Sequence, residues 1–313
     1  MNKLLYLVKG EIYKIQKSNQ LLISIMLLFI IVLSSGISNW ISISKEHNWK
    51  ESLKEQIEEN QMLVKDLREV GNTSDLKYIN ELENDILKDK YSISHNINEK
   101  SSVFGFIKKN GNICFLVNII LMIFASNIMA KEERWGTIKF LLIRPYSRSK
   151  IILSKYLTVF LLAIGFYLLL IILLGIIGVI IYGFGSLRSV TLIVQDGQVL
   201  EHNLIVTVLK QYIYNFLPIL AYTSLAFMIS TILRSNGLAI AVSIIVSTLG
   251  GMISSAISKF NLSRYILFTN TDLNKYLSNS FSTNDMFSIT VIIIYTILFL
   301  LISLLVFKKR DFI

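Results

Sequence analysis

The residues of this chain with the most chemistry to offer lie together in one stretch, KEERWGTIKFLLIRPYSRSKIILSKYL, residues 131–157. Glu132, Glu133, Arg134 and Arg144 can form ion pairs across a protein surface, and Trp135, Ile138 and Leu142 can add apolar contact beside them. Gly136 can admit a close backbone approach. This is docking chemistry, not bond-making chemistry. The histidines His47, His95 and His202 are scattered over segments between apolar runs, without metal-ligand spacing. Cys114 is the sole cysteine, so no internal disulfide can form, and within an apolar run it reads as a small packing residue. No segment matches G-x-x-x-x-G-K-[ST], so nothing here cradles nucleotide phosphates. The expectation is a chain with no catalytic residue, metal site or cofactor of its own.

The same stretch dictates its own shape. Trp135, Ile138, Leu141 and Leu142 recur at helical spacing, and Pro145 ends the run because it disfavours helix at Arg144. Ser147 can cap a following helix. A short amphipathic helix is therefore expected over 131–145, lying along a membrane surface and joined at both ends to spans. Force applied to such a helix passes into the spans it joins.

Those spans are six long apolar stretches at 21–43, 112–130, 156–184, 211–233, 236–258 and 287–307, whose cores hold no Asp, Glu, Lys or Arg. Crossing the ~30 Å hydrocarbon layer takes about 20 helical residues, and inside lipid only a helix satisfies its own backbone within one segment. The composition agrees, with 53% hydrophobic and 17% charged residues. Such a chain in water would expose large adhesive patches. The first apolar run is too long for a signal-peptide core and lacks a small-residue cleavage site.

A net charge of +10 could suggest nucleic acid, so its distribution decides. Segments 1–20, 131–155, Arg234 and 308–313 hold 15 basic residues against 4 acidic ones, whereas 44–110, 185–210 and 259–286 hold 16 against 17. The surplus falls on one side of the membrane, which the positive-inside rule assigns to the cytoplasm. Both termini are expected there, in a bacterial plasma membrane. The basic excess is a topology signal and a contact for anionic lipid, not a nucleic-acid site.

Residues 1–20 place Leu4, Leu5, Val8, Ile12 and Ile15 on one helical stripe, with Lys3, Glu11, Lys14 and Lys17 on the remaining surface. An interfacial helix is expected. Segment 44–110 carries Leu53, Ile57, Val64 and Leu67, then Leu76, Ile79, Leu82 and Ile86, on either side of Gly71-Asn72-Thr73-Ser74. An extracellular helical hairpin is expected there, after a first span at 21–43 and before spans two to six in 111–313. Pro218 should kink the fourth span. Loop 259–286 is expected to form small helices that dip back into the outer leaflet. The fold class is all-α, polytopic.

At the 131–155 segment the chain resembles the permease subunits of ATP-binding-cassette transporters of the type-2 exporter class. Their loop after span two reads approximately E-x-x-x-G-T-(I/L)-(K)-x-L-L-x-x-P-(V/Y)-S-R-x-x-(I/L)-x-x-(S/G)-K. Matching positions are Glu132 or Glu133, Gly136, Thr137, Ile138, Lys139, Leu141, Leu142, Pro145, Ser147, Arg148, Ile151 and Lys155. The ending Phe307-Lys308-Lys309-Arg310-Asp311 and the run from Asn261 to Leu273 are also similar to that family. The resemblance implies that 131–145 is a coupling helix seated in a groove of a separate ATPase subunit, with ATP and Mg held in that subunit. Glu132, Glu133, Arg134, Trp135, Gly136, Thr137, Ile138, Leu142, Arg144 and Pro145 would be the coupling residues. Two permeases and two ATPases would form the working unit, exporting an amphiphilic peptide, drug or lipid-like substrate. Segment 44–110 is larger than in minimal members, which leaves its role open.

Two other readings compete. The chain could be a membrane sensor or immunity subunit that binds a ligand through the 44–110 hairpin without transport. A secondary transporter is disfavoured, because ion coupling needs an ionisable residue near the middle of a span. Asn118, Ser126, Asn127, Asn215, Tyr222, Thr223, Ser243, Ser247 and Thr248 are the polar positions within spans, and residues of that kind mostly hydrogen-bond between helices.

Overall fold

A computed structural model describes residues 2–45, 49–70, 76–98, 101–134, 136, 146–184, 190–195, 197–233, 235–257, 261–277 and 283–310. Among them six helical segments are long and apolar enough to cross a membrane: Asn19–Ser42, Val103–Glu132, Arg148–Tyr182, Leu204–Leu233, Asn236–Ser254 and Asp285–Lys309. The chain is an all-α polytopic membrane protein with one small β-hairpin. Its order is α1 (Asn2–Gln16), α2 (Asn19–Lys45), α3 (Trp49–Val70), α4 (Leu76–His95), α5 (Val103–Lys109), α6 (Cys114–Arg134) and α7 (Arg148–Tyr182). There follow β1 (Val190–Gln195), β2 (Gln198–Asn203), α8 (Leu204–Leu233), α9 (Asn236–Ile257), α10 (Leu267–Asn270) and α11 (Thr283–Lys309).

Helices α6 and α8 form the centre, since 61% of the most apolar stretch of each is buried, against 17% for α2, α9 and α11. Val117, Leu121, Phe124, Leu170, Leu174, Val208 and Tyr212 pack there. The outer helices keep large apolar side chains on the surface, such as Ile30, Ile172, Ile180, Met252 and Leu305. That surplus suits a lipid-facing belt, because lipid does not penalise exposed hydrocarbon.

Helices α3 and α4 pack side by side through Ile57, Val64, Ile79, Leu82 and Ile86. The break expected at 71–74, with its cap at Ser74 or Asp75, lies outside the described residues. The helical pair ends at His95, and residues 103–113 do not belong to it. They form α5 and a 3₁₀ turn that sink into the bundle, burying Val103, Phe106 and Ile107. Ser102 caps α5 by accepting a hydrogen bond from the Gly105 amide at 3.0 Å. The expected hairpin segment 44–110 includes these residues; packing against α7 and α8 separates them from it.

The loop read from 185–210 holds the β-hairpin, in which Val194 faces Val199 and Gln195 faces Gln198. Gly197 at φ +75° supplies the left-handed residue that a two-residue hairpin turn needs. Helix α8 runs unbroken past Pro218, so the missing amide leaves the Tyr214 carbonyl without its helical donor. Segment 261–277 forms two 3₁₀ turns around α10, burying Leu267 and Leu273 beside Tyr214 and Ile292. Asn270 fastens it, donating to the Arg264 and Ile266 carbonyls at 2.8 Å each and accepting from Ser288 Oγ at 2.8 Å. Two carbonyls of this irregular backbone thus find their donor in a buried side chain.

Candidate functional site

The chain segments on either side of 131–145 converge on four charged side chains. Helix α1 turns Leu4, Val8, Glu11 and Ile15 towards the bundle, the i, i+4, i+7, i+11 stripe of one helical face. Glu11, expected on the polar surface with Lys14, is instead buried in that stripe. Helix α6 delivers Glu132 at its last turn, and α7 delivers Lys155 in its second turn.

Lys155 is wholly enclosed, with Nζ 2.6 Å from Glu132 Oε2 and 3.0 Å from Glu11 Oε1. Lys14 closes the ring, 2.6 Å from Glu132 Oε1 and 3.1 Å from Glu11 Oε1. The Ile128 carbonyl accepts a further hydrogen bond from Lys155 at 3.4 Å. Two cations and two anions cancel, which is the condition under which charges tolerate burial. Burial pulls the half-exposed Lys14 ammonium down, but Glu11 and Glu132 outweigh it and hold its pKa above the ordinary 10.5.

Other bonds tie the same end of the bundle. Arg148 donates to the Lys308 and Arg310 carbonyls at 3.1 and 2.6 Å, capping the C-terminus of α11 with a cation where the helix dipole is negative. Arg310 in turn reaches the Ile232 carbonyl at 3.1 Å. Gln20 accepts from Asn127 at 3.2 Å and Lys131 at 3.3 Å, and Asn236 donates to Asn127 at 2.9 Å. Phe307 fills the core between α6, α7 and α8. Ser147 stands at the N-cap of α7, where its carbonyl, not its hydroxyl, accepts the first amides.

The expected coupling residues divide accordingly. Glu132, expected as a polar contact for a partner, is turned inward and engaged with Lys14 and Lys155. Glu133 and Arg134 complete α6 as backbone, their side chains lying outside what is described. Trp135, Thr137, Ile138, Leu142, Arg144 and Pro145 lie outside the described residues. Gly136 has φ +67°, and no described heavy atom lies within 4 Å of where a Cβ would stand. That positive φ is a conformation glycine adopts without steric cost.

Sequence reasoning missed Glu11, Lys14 and Lys155 as members of one site. A signal existed for Lys155: it is the lone cation in IILSKYLTVFLL, and an ionisable group so embedded needs a counter-ion. Which carboxylates supply it depends on how α1 folds back, and no local pattern encodes that.

Comparison with known proteins gives the chain its relatives. The uncharacterized protein YhcI of Bacillus subtilis (strain 168) is 34% identical over 286 residues, which cover 88% of each chain. The uncharacterized membrane protein YdbK of the same organism is 29% identical over 215 residues, covering 66% of this chain and 82% of its own length. The family described as protein of unknown function (DUF2705) matches residues 79–313, from within α4 onwards, and so takes in Glu132, Lys155 and Arg148. On the length of that match and the likeness to YhcI, this chain belongs to the DUF2705 family.

Proposed function

We propose that this chain is the membrane-spanning permease subunit of an ATP-driven exporter, worked by a separate ATPase that docks on segment 131–145 from the cytoplasm. The charge cluster at the roots of that segment carries the reading. Opening it would strand buried charges, at about 3–5 kcal/mol for one lost partner. A push on the segment is therefore not absorbed locally but passes into α1, α6 and α7 together. The enclosed ionisable residues Lys155 and Asp285 sit near the starts of their helices, which supports an energy source outside the spans. The basic surplus supports a cytoplasmic location of both termini in a bacterial plasma membrane. Two copies with two ATPases would form the working unit, exporting an amphiphilic peptide, drug or lipid-like cargo.

The reading expects an ATPase with Walker motifs to be encoded beside this chain and to co-purify with it, and absence of such an ATPase would count against it. The double reversal Glu133→Lys with Arg144→Glu is expected to release the ATPase while the chain still inserts. Retained ATPase with undiminished coupled hydrolysis would refute the docking assignment. Labelling a thiol introduced at 138 with an impermeant reagent on intact cells tests the orientation, and reaction there would reverse it.

A second reading, a non-transporting sensor, has one observation in its favour. A cavity of about 700 Å³ lies under the α3–α4 pair, lined by Trp49, Leu53, Lys88, Lys109 and Leu192 among others. Removing residues 50–90 separates the two, since the exporter reading expects the ATPase still to assemble.

A further inference from the structure

Between α6, α8 and the turn after α10 the bundle opens a cleft of about 480 Å³. Asn118 lines it, halfway along the candidate span Val103–Glu132, and only 4% of that residue is exposed. Its Oδ1 is enclosed and accepts no hydrogen bond from any described residue. Buried acceptors without a donor are rare in folded proteins. The neighbouring polar groups are already engaged: Asn215 Oδ1 accepts from Asn274 at 2.7 Å, and the Tyr222 hydroxyl is hydrogen-bonded to Thr271. Asn118 is thus the one group in this polar wall left waiting for a donor, among the described residues.

The rest of the lining says what kind of donor. Among the described residues Asp272, exposed at the mouth, is the only charged residue lining the cleft, and no cation pairs with it. Phe115, nearly half exposed, and Ile219 form the apolar part of the wall. We infer that this cleft binds an amphiphile whose head is an amine or amide, the head donating to Asn118 with Asp272 supplying the charge and the apolar body lying against Phe115. An anionic head would meet a carboxylate and no compensating cation. As a cargo site the assignment rests on the exporter reading; the binding itself does not.

The experiment uses the full chain in phosphatidylcholine nanodiscs with no ATPase present, so that a failure here leaves the exporter reading standing and the reverse also holds. Radiolabelled dodecylamine is the probe, dodecanoate the counter-probe, and protein-free nanodiscs correct for partition into lipid. Saturable dodecylamine binding is expected, with dodecanoate weaker by about tenfold, the scale of one charge-assisted hydrogen bond. Asn118→Leu and Asp272→Asn are each expected to weaken dodecylamine by about tenfold, with Ser247→Ala unchanged. Should Asn118→Leu fail to fold, Asp272→Asn at the exposed mouth carries the test. Absent saturation, equal binding of dodecanoate, or binding indifferent to these variants overturns the assignment and leaves a cleft that holds only water.

Discussion

At the end of the bundle that carries both termini, four charged side chains from three helices meet with Lys155 wholly enclosed. In the α3–α4 pair beyond the other end, the ion pairs Arg68–Glu83 and Lys88–Asp85 lie on the surface. The apolar seam differs in the opposite sense: Ile57, Val64, Ile79, Leu82 and Ile86 are what hold the helical pair together. Charge placed in water contributes little, because solvent screens it and long side chains lose entropy on pairing. Charge placed in a low-dielectric interior ties its partners together, since removing an enclosed member such as Lys155 strands them. The first arrangement suits a helical pair held by hydrophobic contact; the second fastens three helices to one another at one end of the bundle.

Removing one member of the cluster tests this contrast most severely. Lys155→Met should leave Glu11 and Glu132 with only the half-exposed Lys14 between them and lower stability by about 3–5 kcal/mol, read as a lowered unfolding temperature in detergent. Adding Glu11→Gln and Glu132→Gln should recover most of the loss, because neutral groups need no counter-ion. A triple variant as unstable as Lys155→Met would mean that packing, not charge, governs the joint.

In the helical pair the ranking should invert. Leu82→Ala is expected to destabilise by about 2–4 kcal/mol through the cavity it leaves, with faster hydrogen exchange confined to α3 and α4. Arg68→Ala should shift stability by less than about 1 kcal/mol. Exchange that quickened equally around Glu132 would mean that the two ends are coupled.

Between these in kind is Arg148→Gln, which removes the cation from the C-terminal carbonyls of α11. Loss of about 1 kcal/mol is expected, with exchange rising over 305–310. The smallest effect concerns Lys14, half exposed and raised above its ordinary 10.5. Because its folded pKa is the higher one, its contribution is complete below pH 10.5 and fades as pH climbs through the raised value. Lys14→Met should lower the neutral region by a small constant amount and flatten the alkaline end of the stability–pH profile, where the two proteins converge. High salt should shrink the difference, as the pair is open to solvent.

Regular periodicity explains what could be read in advance. The six spans, the helical pair and a start of α7 at Ser147 follow from local rules that hold whatever else the chain does. The β-hairpin escaped although its signal was present: Asp196-Gly197 between alternating residues is a two-residue turn pattern, overlooked beside a strong helical background. Residues 103–109 escaped for a different reason, because Val103, Phe106 and Ile107 are too few for a period and only burial against α7 and α8 reveals them. The site was half legible. Glu132 stood out by its place in a motif, whereas its pairing with Lys14 and Lys155 depends on where α1 and α7 lie.

From composition and spacing alone follow the membrane, the number of spans, the helical pair and the idea that chemistry concentrates near 131–157, because hydrophobic length and helical period are local properties of a chain. The meeting of Glu11, Lys14, Glu132 and Lys155, and the orphaned acceptor of Asn118 facing a cleft with Asp272 at its mouth, were decided only by tertiary structure. Electrostatic partners and cavities are relations between segments distant in sequence. They come into being only when helices cross.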